Sequence, residues 1–339
     1  MINYNKESAQ IQCLFHRLPR IDRKKQKEYN KRHYNAETAA KTAAVSRHEE
    51  KMEKKEKKEK KEKKRGIRNP KRVLIELSKP VAKVMIYFRI GKFQIVNYKI
   101  QTGKLARPVR IVLIADLHDS LFGENQRGLI EAIDNLKPDA VMMAGDIFVE
   151  YAPQKNAVML LKGIAGRYPC FYVTGNHECF CDDIGGIKNT VRAYGAEVLE
   201  GVRKEAELNG QTITVCGLDD PRCGEEEFDT QLNALAAAGA NGYTILLSHR
   251  PELVETYKTL NADLVLSGHA HGGQWRIPGI LNGLYAPEQG WFPKYAGGLY
   301  SYNNTIHIVS RGLARYYILP RIGNPTELVA IDIEPKQTR

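Results

Sequence analysis

From residue 108 the chain alternates short apolar runs with amphipathic stretches, and no other feature constrains the fold as strongly. "VRIVLIAD", "DAVMMAGD", "CFYVTGN", "QTITVCGLDD", "YTILLSH" and "ADLVLSGH" each read as a buried strand running into a loop. Between them, "ENQRGLIEAIDNL", "QKNAVMLLKGIA", "IGGIKNTVRAYG", "EFDTQLNALAAAG" and "PELVETYKTL" carry apolar residues at helical spacing. Such alternation lays helices over a mostly parallel sheet. The late runs "TIHIVS" and "ELVAIDI" have no helix between them, which predicts a second sheet. The expected class is therefore α/β. It is a layered two-sheet sandwich flanked by helices over residues 108–335, without an internal repeat or a separate second domain.

The strand ends hold the chemistry. One run ends in Asp116-Leu117-His118, the next in Gly145-Asp146, the third in Gly175-Asn176-His177-Glu178. A fourth ends in Ser248-His249 and the last in Gly268-His269-Ala270-His271. Singly these are weak signals, because an Asp at a strand end is ordinarily a turn former or helix cap. Jointly they need another account, since so many carboxylates and imidazoles at one sheet edge must be desolvated together. Bound cations supply one. On extended backbone, D-x-H and H-x-H would each point two ligands the same way. Imidazole mixed with carboxylate suits Mn, Fe, Zn or Co better than Mg or Ca. Two such ions about 3.5–4 Å apart can clamp the attacking and leaving oxygens of a displacement at phosphorus. His307 sits in an ordinary alternating strand and reads as structural.

In this order, "DLH", "GD", "GNHE", "SH" and "GHAHGGQ" resemble the calcineurin-like metallophosphoesterases. "GLDDP", "HAHGGQWRIP" and "YAPEQGWFPKYAGGLY" look most like a bacterial phosphodiesterase subgroup, many of whose members are membrane-anchored or exported. The resemblance covers roughly residues 108–335 and implies a metallophosphatase-like fold. It also implies roles. Asp116, His118 and His271 would hold one divalent metal ion, Asn176, His249 and His269 a second, and Asp146 would bridge them. His177 would face the substrate as general acid or stabilise the transition state. A hydroxide between the ions would be the nucleophile, and Gly272 and Gly273 would leave room for phosphate. The implied activity is hydrolysis of a phosphate ester, as a manganese-type phosphodiesterase or pyrophosphatase. The competing readings are a catalytically silent metal-binding scaffold and a nuclease recruited by its tail.

Several neighbours stay open. Glu178 either orients His177 or caps the following segment, and Arg250 either touches phosphate or lies on the surface. Gln274 and Trp275 either line the pocket or pack at its edge. Asp219 and Asp220 read as turn or supporting residues.

The chain has a net charge of +12, but residues 1–72 alone carry +14 and the remainder −2. The tail ends in "KMEKKEKKEKKEKKRG", where Glu53, Glu56 and Glu59 each precede a Lys by four residues. This charged, non-globular tail has no apolar face to bury. Its partner would be an anionic membrane surface or, less favoured because the body is near neutral, nucleic acid. Residues 73–107 read as a basic amphipathic lead-in and a strand. No apolar signal segment and no run of about 18 apolar residues occurs, so the expected location is cytoplasmic, peripheral to a membrane. Cys13, Cys170, Cys179, Cys181, Cys216 and Cys223 lack zinc spacing and are expected as reduced thiols.

Overall fold

The structure is a computed structural model and describes residues 93–336 except 240–241, 278 and 316–320. The readings made for the tail and for residues 73–92 lie outside these residues. In chain order the first half contains β1 (Gln94–Thr102), β2 (Val109–Ile114), α1 (Arg127–Leu136), β3 (Ala140–Ala144) and α2 (Lys155–Ile164). It continues with β4 (Cys170–Val173), α3 (Asn176–Phe180), α4 (Ile184–Ala193) and β5 (Glu197–Val198). The second half contains β6 (Arg203–Leu208), β7 (Gln211–Gly217), α5 (Glu225–Ala237), β8 (Thr244–Leu247), α6 (Val254–Lys258) and β9 (Leu264–Ser267). The chain then forms a short pair, β10 (Tyr285–Ala286) and β11 (Gly290–Trp291), followed by β12 (Gly298–Tyr302), β13 (Thr305–Val309) and β14 (Glu327–Pro335).

Two six-stranded sheets result, in the orders β1-β14-β2-β3-β4-β5 and β12-β13-β9-β8-β7-β6. Strands β2 to β5 run parallel, as do β7, β8, β9 and β13. The sheets face each other through one apolar layer. Ile111, Leu113, Met142, Phe171 and Val173 from the first meet Ile213, Val215, Ile245, Leu264 and Leu266 from the second. Because strand side chains alternate, the opposite faces are apolar as well. Val112, Ile114, Val141 and Met143 pack against Leu129 and Ile133 of α1 and Leu160, Leu161 and Ile164 of α2. Cys216, Leu246 and Val265 pack against Phe228 and Leu235 of α5 and Tyr257 of α6. The fold is thus the expected two-sheet sandwich with helices over both outer faces.

Two features were not legible in the apolar pattern. Strand β6 is half exposed and polar, "RKEAEL", and pairs antiparallel with β7. Its signal is the Asn209-Gly210 pair, both at positive φ, which makes the tight hairpin turn. Strand β14 inserts between β1 and β2, parallel to one and antiparallel to the other.

Parallel strands of one sheet end on the same side. The ends of β2, β3 and β4 therefore lie together, as do those of β8 and β9, where open α/β sheets place their sites. Within the first sheet the Gly145 carbonyl after β3 accepts from Asp116 N after β2 (3.0 Å), and the two sheets are tied directly where the Ala144 carbonyl lies 2.8 Å from His249 Nδ1.

Candidate metal centre

All the expected histidines except His177 are buried here, with His118 8%, His249 0%, His269 3% and His271 3% exposed. Donor atoms of Asp116, His118, Asp146 and His271 lie within 4.8 Å of one another, and so do those of Asp146, His249 and His269. Asp146 belongs to both groups. Its Oδ2 sits 3.3 Å from His118 Nε2 and 3.2 Å from His249 Nε2. Oδ1 accepts from His177 N (2.9 Å), which joins the end of β3 to α3. Asp116 accepts His269 N on both oxygens (3.0 and 3.1 Å), joining β2 to β9 across the sheets.

The backbone that presents these groups is not extended. Asp116, His118, Asp146, His269 and His271 have φ of 49°, 47°, 54°, 67° and 47°, the left-handed region. The expectation that strand alternation aims the D-x-H and H-x-H pairs is therefore corrected. The strands stop at Ile114 and Ser267, and each of these five side chains is turned individually by its own strained backbone. Each such residue costs about 1–3 kcal/mol, so the surrounding packing must impose the shape. The two histidines of "HAH" accordingly face different groups. His269 Nδ1 lies 3.2 Å from His249 Nε2, whereas His271 Nε2 lies 3.5 Å from Asp116 Oδ1.

The electrostatics favour cations. Burial pushes the Asp116 carboxyl up, and the nearby Asp146 adds to this against an opposing pull from His249. Burial works the same way on Asp146, but His249 and His118 outweigh it and hold the carboxyl well below the usual range. For His249, burial favours the neutral ring, yet Asp146 and Asp116 raise its pKa to about 10. Burial, with His118 and Arg321 nearby, drives His271 well down. Neighbouring imidazoles at one buried carboxylate thus take opposite protonation preferences, an arrangement that metal ions would replace with lone pairs all pointing inward. A second observation fits. Oδ1 of Asn176 and Oδ2 of Asp146 are buried without a hydrogen-bond partner. The donor set is borderline N and O, as expected for Mn, Fe, Zn or Co.

The open residues resolve as follows. Buried Glu178 accepts the backbone N–H groups of Gly175, Asp146, Ile147 and Phe148 at 2.7–3.0 Å. It pins the Asp146 loop to α3 and does not orient His177. Burial and Asp146 push its carboxyl up to about 7. Arg250 is buried, not on the surface, because Asp220 holds it at 2.7 and 3.0 Å. Asp219 supports Thr174, Lys188 and Gln231. Trp275 is an edge residue, 42% exposed. His307 is fully buried, with Nε2 3.0 Å from Ser267 Oγ, as a structural residue should be. The room expected beside Gly272 and Gly273 belongs to the protein. A side chain at Gly272 would run into Asn324, and one at Gly273 into Gly283. These glycines admit neighbouring chain segments, not a phosphate.

The cysteine expectation is also corrected, since Cys179 and Cys223 form a disulfide. Neither their spacing nor their local sequence announces it. The packing of α3 against the turn Pro221–Cys223 brings their Cα atoms to 4.8 Å. Cys170, Cys181 and Cys216 are free.

Besides Arg321, whose Nη2 lies 3.3 Å from His271 Nδ1, three residues that the sequence reading passed over touch the centre. Glu150 Oε2 lies 2.9 Å from His177 Nδ1, Tyr151 OH lies 2.9 Å from His118 Nδ1, and Glu288 Oε2 lies 2.8 Å from His269 Nε2. Glu150 and Tyr151 follow the Gly145-Asp146 motif closely, which was their one signal. Glu288 comes from the turn between β10 and β11, and its one signal was its place in the stretch "YAPEQGWFPKYAGGLY".

Residues 109–273 match the model of the calcineurin-like phosphoesterases, and the chain carries that domain. An uncharacterized metallophosphoesterase of Helicobacter pylori (strain J99 / ATCC 700824) is 28% identical over 261 residues, 74% of this chain and 66% of the relative. The uncharacterized metallophosphoesterase YkuE of Bacillus subtilis is 28% identical over 210 residues, 60% of this chain and 71% of its own. The phosphodiesterase YaeI of Escherichia coli is 26% identical over 247 residues, 69% and 86% of the two chains. The match thus spans just under two thirds of the Helicobacter relative's length. Among the described residues no helix is long and apolar enough to cross a membrane.

Proposed function

We propose that this protein hydrolyses phosphate esters, most naturally a phosphodiester, at a centre of two divalent ions. The observation that carries the reading is Asp146, whose carboxylate belongs at once to both buried donor groups. Asp116, His118 and His271 would complete one set. His249, His269 and the unpartnered Asn176 Oδ1 would complete the other. Ions held there would supply Lewis acidity at the phosphate oxygens and lower the pKa of the attacking water.

His177 acts on the leaving group. Its side chain is 21% exposed, against 3% for that of His118 and 0% for that of His249, so it alone of these rings reaches solvent. Its Nδ1 lies against Glu150, which leaves Nε2 to face the substrate. Water adds to phosphorus and releases one proton to solvent, the ester P–O bond breaks, and the Nε2–H of His177 passes its proton to the departing oxygen. Glu150 orients the ring by accepting its Nδ1–H. Membrane or nucleic-acid recruitment by residues 1–72 remains a proposal from charge alone.

The test is turnover of bis(p-nitrophenyl) phosphate by manganese-loaded protein. The reading expects hydrolysis that Asp146→Asn and His177→Ala each reduce sharply. Absence of turnover, or turnover indifferent to both changes, defeats it.

A further inference from the structure

Glu288 stands apart from the strand-end motifs, yet it makes a direct contact with the centre. Its Oε2 lies 2.8 Å from His269 Nε2. Its other oxygen, Oε1, lies 3.2 Å from both Arg250 Nη1 and Arg222 Nη2. Arg250 is fixed in turn by the bidentate pair with Asp220. The turn that carries Glu288 is held by its neighbour. Gln289 accepts from Tyr295 N (2.9 Å) and donates to the Tyr295 carbonyl (3.2 Å).

The same pattern occurs at the adjacent imidazole. His249 has its Nδ1 against the Ala144 carbonyl at 2.8 Å, and its Nε2 faces Asp146. His269 is the mirror case, with Nε2 against an acceptor and Nδ1 facing inward, 3.2 Å from His249 Nε2. In each ring an oxygen acceptor faces the outer nitrogen and would take its N–H, so that the inner nitrogen is the one placed to offer a lone pair to an ion.

We infer that Glu288 is a positioning residue: it fixes the Nε2–H tautomer and the ring angle of His269, so that Nδ1 converges with His249 Nε2 and Asp146 on one ion. This rests on the two-ion reading above. Glu252, His269 and Glu288 also bring donor atoms within 4.8 Å of one another, as a third ion would need. The Arg250 guanidinium already stands between those carboxylates, 3.6 Å from Glu252 and 3.2 Å from Glu288. A cation is present there by construction, so Glu288 serves as a strut and not as a ligand. The strut also couples the β10–β11 turn, with exposed Trp291 and Phe292 beside it, to the ion that His269 would hold.

The experiment has two readouts on the full chain. The first needs no metal: ring nitrogen-15 spectra of His269, assigned with His269→Gln. The metal-free protein should show the Nε2–H tautomer, and Glu288→Ala should mix or reverse it. The second is cobalt titration followed by visible absorption. Glu288→Ala and Glu288→Gln should weaken one of the two equivalents by roughly 10–100-fold and leave the other unchanged. A thermal melt checks folding, and the part-exposed Glu288 should tolerate replacement. Unaltered His269 nitrogen shifts in Glu288→Ala would overturn the inference, as would unchanged affinity for both equivalents in both variants. A wild-type chain that takes up fewer than two equivalents, while its His269 spectrum responds as expected, would sink the two-ion reading and leave the strut standing.

Discussion

Oδ2 of Asp146 lies 3.2 Å from Nε2 of His249, although one residue follows a strand of the first sheet and the other a strand of the second. The contact joins the two sheets at a point where neither side chain touches water. It also ties the protonation of the site to that carboxylate, since Asp146 and Asp116 overcome burial to raise His249 to about 10. Asp146→Asn removes the charge and one oxygen of the shared carboxylate. Equilibrium dialysis with manganese should then show weaker binding, by at least the ~10–100-fold that follows loss of a supporting residue. Full retention of both equivalents would contradict a bridging role.

The proposed role of His177 is separable from that of the residues proposed to hold metal. His177→Ala should lower turnover by about 10²–10⁴-fold and leave metal uptake intact. Glu150→Gln should produce a smaller fall, because the ring loses the carboxylate that holds its Nδ1 at 2.9 Å. A fall in metal content in His177→Ala would move that residue into the ligand set.

Gly145 is a place where a side chain cannot be accommodated. A Cβ there would lie 2.6 Å from His249 Nδ1 and 2.7 Å from Gly175 N, and the residue has φ 81°. Gly145→Ala should cost about 2–4 kcal/mol, from left-handed strain and overpacking together, read as a lower urea midpoint. A neutral outcome would mean the strand ends are looser than these distances imply.

His307 predicts a pH effect on stability. Burial drives its pKa from 6.5 down to about 3. Between those values the unfolded chain binds a proton that the native chain does not, so stability is lost as pH falls through that window. The slope from this one group is at most ~1.4 kcal/mol per pH unit. His307→Gln should flatten the difference in unfolding free energy between about pH 7 and about pH 5. Identical pH slopes in both proteins would show that His307 titrates normally.

The disulfide between Cys179 and Cys223 closes a separation of 44 residues and links α3, which carries Asn176 and His177, to the turn after Asp220. In the oxidised protein, Cys223→Ser should cost about 2–4 kcal/mol. Thiol titration of the denatured, unreduced chain checks the bond itself. Reactivity of all six cysteines would refute it.

Much of this protein was determined locally. Apolar runs bounded by turn residues mark β2, β3, β4, β7, β8 and β9, because burial on both faces demands continuous hydrophobic side chains. The same strands end in Asp116, Asp146, Asn176, His249, His269 and His271, residues whose desolvation no apolar core would tolerate without cause. What the tertiary structure alone decided is everything that depends on two segments meeting. The insertion of β14 between β1 and β2, the Cys179–Cys223 bond, the burial of Arg250 on Asp220 and the reach of Glu288 to His269 all join residues distant in the chain. A sequence pattern records the partner a residue needs by type, such as an acceptor or a counter-charge. Which residue supplies it is settled only when the sheets close on each other and loops of unrelated sequence are brought within hydrogen-bond distance.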